Sequence, residues 1–242
     1  MSAFRGQSDR QALPRSTSGL RSLTSDRRPL TSSVTMLSWL KPAVFFACLI
    51  PLGQLAFNGY AGDLGANPIE TITRFTGSWA LIMLLASLSV TPLRRITGRN
   101  ELIKFRRMLG LFAFFYAALH FATYMVLDLF FDFSAILKDV IKRPYITVGF
   151  TALLLMTPLA MTSTAAMIRR LGKGWQQLHY LVYVIAILGV VHFYWLVKAD
   201  ISRPAQYGAV LALLLGYRLV VKWAPAVRGK FSGKPAAVHL RS

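Results

Sequence analysis

Read only as apolar and polar positions, the chain is six long apolar runs separated by short charged stretches. The runs lie near residues 41–59, 77–92, 108–131, 146–167, 178–197 and 205–221. Each approaches the roughly 20 residues a helix needs to cross a hydrocarbon core about 30 Å thick. Backbone polar groups at that depth find no water, and a helix satisfies them within itself. The pattern therefore predicts an all-α fold, an integral membrane bundle of six transmembrane helices. The second and sixth runs are short by apolar count, and Trp79, Tyr207 and Trp223 at or near their ends are expected to anchor them at the interface. Pro158 is expected to kink the fourth.

Outside the runs the character changes. Residues 1–35 are rich in Ser, Thr and Arg with few large apolar side chains, which predicts a disordered basic extension. No apolar h-region of a signal peptide precedes the first run, and Met36, directly before "LSWLKPAVFF", is a candidate start. Residues 226–242 read as a basic cytoplasmic tail, leaving 36–225 as the six-helix domain.

Composition sharpens this picture. Hydrophobic residues make up 55% of the 242, too many for a soluble domain that must face water. A net charge of +19 would suggest nucleic acid in a soluble protein, but here the basic residues sit between apolar runs, so lipid is the expected partner and nucleic acid is not. Residues 1–41, 93–107, 168–177 and 218–242 hold 22 Lys and Arg against three acids, whereas the alternate loops hold six of each sign. By the positive-inside rule both termini are cytoplasmic. The single cysteine, Cys48, excludes a disulfide framework and a CxxC metal site. There is no GxGxxG, no GxxxxGK[ST] and no evident repeat, so any reductant has to be delivered by something else.

The chemistry then rests on histidine. With this orientation His120 lies 13 residues above Arg107 in the third run, about 20 Å up at about 1.5 Å per residue. His192 lies at a similar height in the fifth run, which begins near His179 at the inner edge. Two neutral imidazoles facing each other inside a bundle can supply both axial ligands of a haem iron, and His120 with His192 is the candidate pair. His179 is the candidate ligand of a second, inner haem. The third run offers no second histidine, only Arg106 and Arg107, as contacts to a haem propionate or, less usually, on the iron side. On an ideal helix His192 falls roughly 140° from His179, an offset that tilt or a local π-bulge would have to absorb. Each histidine also has a plainer reading, as a helix-to-helix hydrogen-bonding residue or, for His179, an interfacial one. His239 lies in the basic tail and is read as incidental. Arg218, near the cytoplasmic end of the sixth run, is expected to snorkel to the interface, with a propionate or flavin phosphate as the other reading. The string from Thr162 to Arg170 is expected to satisfy the end of the fourth helix, with a phosphate site as the alternative.

These residues resemble a known family. "WQQLHYLVY" (175–183) is similar to the W-x-x-L-H-x-x-x-Y pattern of ferric-reductase-like transmembrane domains, which carry haem b between histidines of neighbouring helices. "FTGSWAL" (75–81), "SLSVTPLRR" (87–95), "FRRMLGLFAFFYAALH" (105–120), "KRPYITVGF" (142–150), "LAMTSTAAMIRRLGKGWQQLH" (159–179) and "HFYWLVK" (192–198) resemble the MsrQ family, also called YedZ, over about residues 36–225. The resemblance implies a multi-pass protein of the bacterial inner membrane with haem b and FMN as cofactors. It also implies electrons from a cytoplasmic flavin reductase or the quinol pool, passed to the periplasmic molybdopterin subunit MsrP, which reduces methionine sulfoxide in oxidised proteins. On that resemblance the haem-associated histidines are His120, His179 and His192, and the paired arginines are Arg106 and Arg107. The long N-terminal extension departs from the family. Two rival functions remain, a self-contained ferric or quinone reductase and a transporter whose histidines relay protons.

Overall fold

In a computed structural model the described residues are 30–197 and 200–231. They form nine α-helices, α1 (Leu30–Ala61), α2 (Pro68–Thr97), α3 (Ile103–Thr123), α4 (Phe133–Lys142), α5 (Pro144–Met161), α6 (Ala165–Leu171), α7 (Lys173–His179), α8 (Leu181–Leu196) and α9 (Ser202–Phe231). The chain divides into two units between Leu40 and Lys41, within α1. Among the described residues the helical core lies in the second. α1 begins at Leu30, inside the stretch expected to be a tail, and α9 runs on to Phe231. The rest of both expected tails, His239 included, lies outside the described residues, as does the side chain of Trp223.

Six segments are long and apolar enough to cross a membrane, as the apolar runs predict: Trp39–Ala61, Pro68–Thr97, Asn100–Asp128, Pro144–Met161, Lys173–Leu196 and Ser202–Lys222. The protein is a multi-pass membrane protein. The second span is central: half of its most apolar window is buried, against 22% or less for each other span. Asn67 caps its start by accepting from the Glu70 amide at 3.2 Å, and Gly98 ends it at φ 69°, a left-handed turn that suits glycine.

α2 packs along α3, and α5 along α8. Leu81, Leu84, Leu88, Phe112, Tyr116, Met156, Ile185, Leu211 and Leu214 meet in the core. The fully buried Tyr116 donates to the Cys48 carbonyl at 2.8 Å and ties α1 to α3. Small residues let α2 and α3 approach closely: Ser87 donates to the Arg106 carbonyl at 3.0 Å beside Gly110.

Several expectations change. Trp79 and Tyr207 are packing residues, partly buried against the core beside Tyr116 and Phe193 respectively, because their rings fill space between helices. The fourth span ends at Met161 rather than near 167, where Thr162 and Ser163 turn back to the Pro158 and Leu159 carbonyls at 2.6 Å each. Trp175 then donates to the Thr162 carbonyl at 3.0 Å, so this string does satisfy the helix end. α4 has no counterpart among the six runs, being an amphipathic helix of ten residues between the third and fourth spans.

Candidate functional site

The His120 and His192 rings meet, with centres 6.1 Å apart and planes at 76°. They come from α3 and α8, and each is held from behind by a different helix. His120 Nδ1 lies 2.9 Å from the Thr73 carbonyl of α2. His192 Nδ1 lies 2.6 Å from the Tyr145 carbonyl of α5. A carbonyl only accepts, so each Nδ1 carries the proton and each Nε2 keeps its lone pair, the tautomer a metal ligand needs.

One helical turn beyond each carbonyl stands a glycine against the ring. A Cβ on Gly77 would meet His120 Nδ1 at 2.9 Å, and one on Gly149 would meet His192 Nδ1 at 2.6 Å. Thr73, Gly77 and His120 thus recur as Tyr145, Gly149 and His192, every member 72 positions later (73 to 145, 77 to 149, 120 to 192). The arrangement that holds each ring thus recurs at one offset, a correspondence of roles that the residues alone do not display. At that offset the other identities are few and scattered, Ile69 with Ile141, Ala80 with Ala152, Leu81 with Leu153, Ile96 with Ile168, Leu109 with Leu181 and Phe121 with Phe193, which is why the correspondence is not evident in one dimension. The same offset carries Arg107 onto His179.

Among the described residues no three His, Cys, Asp or Glu side chains gather at one point. A bare ion would lack a protein cage, so the pair suits a metal whose other donors come from a macrocycle. An imidazole nitrogen sits about 2.1 Å from a transition-metal ion, which puts two opposed ring centres about 6 Å apart. The observed spacing fits.

His179 stands apart from this pair. Its Nδ1 faces the Trp175 carbonyl one turn back in α7 at 3.0 Å, and its ring stacks on Trp175 with centres 3.9 Å apart. It lines a cavity of about 400 Å³ with Arg106, Arg107, Gln176 and Tyr183. Of the two arginines Arg106 is half-buried and Arg107 exposed. Among the described residues no carboxylate lines this cavity, so it fits a group with anionic arms.

The angular mismatch between His179 and His192 has a local cause. The helix breaks at Tyr180, where Tyr180 bonds back to Gln177 at 3.2 Å and Tyr183 to Tyr180 at 3.1 Å, both three residues apart. A tighter turn advances the chain about 120° per residue instead of about 100°, which reduces the offset. The π-helical segment lies elsewhere, at Tyr124–Asp128 beyond His120.

Arg218 does not snorkel. It points inward from α9, donating to the Tyr183 hydroxyl at 2.5 Å and to the Leu88 carbonyl at 2.8 Å. Pro92, four residues after Leu88, has no N–H to give that carbonyl, so the guanidinium replaces the missing helix bond.

The chain is similar to known proteins over most of its length. Residues 76–190 match the family model described as ferric reductase like transmembrane component, an interval that holds Gly77, His120, Gly149 and His179 and stops two residues short of His192. A protein-methionine-sulfoxide reductase heme-binding subunit MsrQ of Herminiimonas arsenicoxydans is 53% identical over 194 residues, covering 79% of this chain and 89% of that one. Its counterpart from Rhodospirillum rubrum is 55% identical over 193 residues, covering 79% and 91%. This chain belongs to the MsrQ family. No solved structure matches it. As an MsrQ member it is described by two features absent from its linear pattern, the glycine slots behind the histidines and the inward Arg218.

Proposed function

We propose that this MsrQ-family chain is a membrane electron-transfer subunit of a protein-methionine-sulfoxide reductase system. In this reading it binds haem b and delivers electrons from a cytoplasmic flavin reductase or quinol source to the periplasmic molybdopterin-dependent MsrP in the bacterial inner membrane. The relatives named above are heme-binding subunits of such a reductase. The observation that carries the reading is the pair of imidazoles from two helices, with ring centres 6.1 Å apart and each Nδ1 occupied by a carbonyl of a neighbouring helix.

When bound, haem b supplies one-electron chemistry. The protein's part is to hold two imidazoles in one tautomer and one orientation, so that neither has to move or exchange a proton when the oxidation state changes. Nitrogens fixed in this way do not suit a proton-relaying transporter. At the inner end His179 is the candidate ligand of a second haem, with Arg106 or Arg107 toward its propionates or on the iron side. FMN, the other cofactor the resemblance implies, is assigned no residues.

The purified chain should be red, with a spectrum that shifts on dithionite reduction, and its haem and flavin can be quantified in the same sample. His120→Ala and His192→Ala are each expected to abolish the same haem signal, while His179→Ala spares it and removes or alters a second component. If His192→Ala leaves haem content and reduction unchanged, the axial pair is wrong. Ferric-chelate or quinol turnover by the chain alone would favour the self-contained reductase.

A further inference from the structure

α4 carries three faces. Ala135, Ile136, Asp139 and Val140 are its less exposed residues and turn toward the bundle. There Asp139 accepts from the Tyr124 hydroxyl at 3.1 Å, and the Val140 carbonyl accepts from Thr147. Phe133, Leu137 and Ile141, four residues apart, form an apolar stripe that is 70%, 62% and 74% exposed. One position on, Ser134, Lys138 and Lys142 form a polar stripe beside it, and Leu137, Ile141 and these three line a shallow groove.

The approach to α4 continues the apolar stripe. Phe130 and Phe131 have φ of 45° and 62°, left-handed backbone that is costly for aromatic residues, and both are exposed. The strain accompanies aromatic rings turned away from the core.

We propose that α4 lies in the plane of the membrane, within the headgroup layer of the leaflet where the third and fourth spans end. Its apolar stripe and the two phenylalanines rest on acyl chains, and Lys138 and Lys142 reach the phosphates of anionic phospholipids, while Arg143 is taken up by Asp139 at 3.3 Å and the Tyr145 hydroxyl at 3.3 Å. Connectivity fixes the level. Four residues separate Asp128, the end of the third span, from Phe133, and Arg143 alone separates Lys142 from Pro144, the start of the fourth. A helix of about 15 Å tethered so shortly at both ends cannot leave the ends of its spans. At that level the apolar stripe is continuous with the lipid-facing surface below it. Lysines bordering an apolar stripe, rather than opposing it, can extend their heads upward while their stems stay in the apolar layer.

The test uses the full chain with Cys48→Ser, carrying an environment-sensitive nitrobenzoxadiazole label at Leu137→Cys or at Ser134→Cys. It is reconstituted in phosphatidylcholine vesicles with or without phosphatidylglycerol, and haem absorbance checks the fold. The Leu137 label should be blue-shifted, lose severalfold more emission to lipids bearing a nitroxide near the headgroup than to aqueous iodide, and shift further when phosphatidylglycerol is present. The Ser134 label should show the reverse quencher preference. Iodide quenching of the Leu137 label as strong as that of the Ser134 label would overturn the proposal, since the stripe would then stand in water. So would shielding from both quenchers, which would mean cover by a second copy or another protein. Lys138→Glu with Lys142→Glu should remove the phosphatidylglycerol-dependent shift, and its survival would overturn the assignment of phosphates.

Discussion

At the scale of single residues, the imidazoles are held by what is missing opposite them. Carbon atoms pack comfortably at about 3.5–4.0 Å, and a methyl at Gly149 would stand 2.6 Å from the His192 ring. The ring would have to leave its carbonyl or the helices separate, an overpacking cost of about 1–3 kcal/mol. Gly149→Ala should therefore lower haem content and alter the ferric spectrum, and Gly77→Ala, whose contact is longer at 2.9 Å, should do so less. Gly53→Ala and Gly216→Ala, which face open space, should leave both unchanged. Haem per protein and low-temperature ferric resonance of the purified variants check this. Should His120 and His192 both hold the iron and keep the 76° between their planes, the same resonance would show one dominant low-field feature. His120 and His192 were legible as a pair because titratable side chains in apolar runs are conspicuous. Gly77 and Gly149 were not, because a glycine in a helix discloses nothing of what leans on it from the next helix, although an isolated glycine in an apolar helical run is the signal to follow.

At the scale of elements, Pro92 and Arg218 act together although 126 positions separate them. A proline in a membrane helix strands the carbonyl four residues earlier, and α9 supplies the donor that α2 lacks. Arg218→Gln leaves the Leu88 carbonyl and the Tyr183 hydroxyl unpaired, at about 1–3 kcal/mol for an unsatisfied buried group. In a Pro92→Ala background the Leu88 carbonyl regains an amide, so the same Arg218 substitution should cost measurably less. Denaturation of the four proteins by heat in one detergent gives the coupling, and additive effects would contradict the partnership. The sequence displayed both residues but not their pairing. An arginine near a helix end looks like a snorkelling one until a stranded acceptor is found within its reach. The six spans were legible throughout because lipid imposes a length, whereas α4 was passed over because ten residues of alternating character meet no spanning criterion.

At the scale of the molecule, the recurring histidine arrangement and the charge asymmetry together bear on which way the proposed electron transfer would run. Spans two and three and spans four and five run in the same sense, so the two copies are related about an axis along the membrane normal, as in parallel-repeat membrane proteins. Such an axis leaves depth unchanged, which is why His120 and His192 arrive at one level, and it ends at the opposite side of the membrane with His179 in one copy and Arg107 in the other. Which side is outward depends on the 22 basic residues gathered on the loops shared with the termini, against six on the alternate loops. Alkaline phosphatase, active only after export, should therefore be active when fused after Asp63 or Asp200 and inactive after Arg99 or Ser242. That outcome sets the histidine pair toward the periplasm, within reach of the proposed soluble acceptor, and the cavity of His179 toward the cytoplasm, where the proposed donor would be. The inverse outcome would put the pair beside the donor and the arginine-lined cavity at the exit, and delivery to a periplasmic reductase through His120 and His192 would fail with the haem ligands still correct.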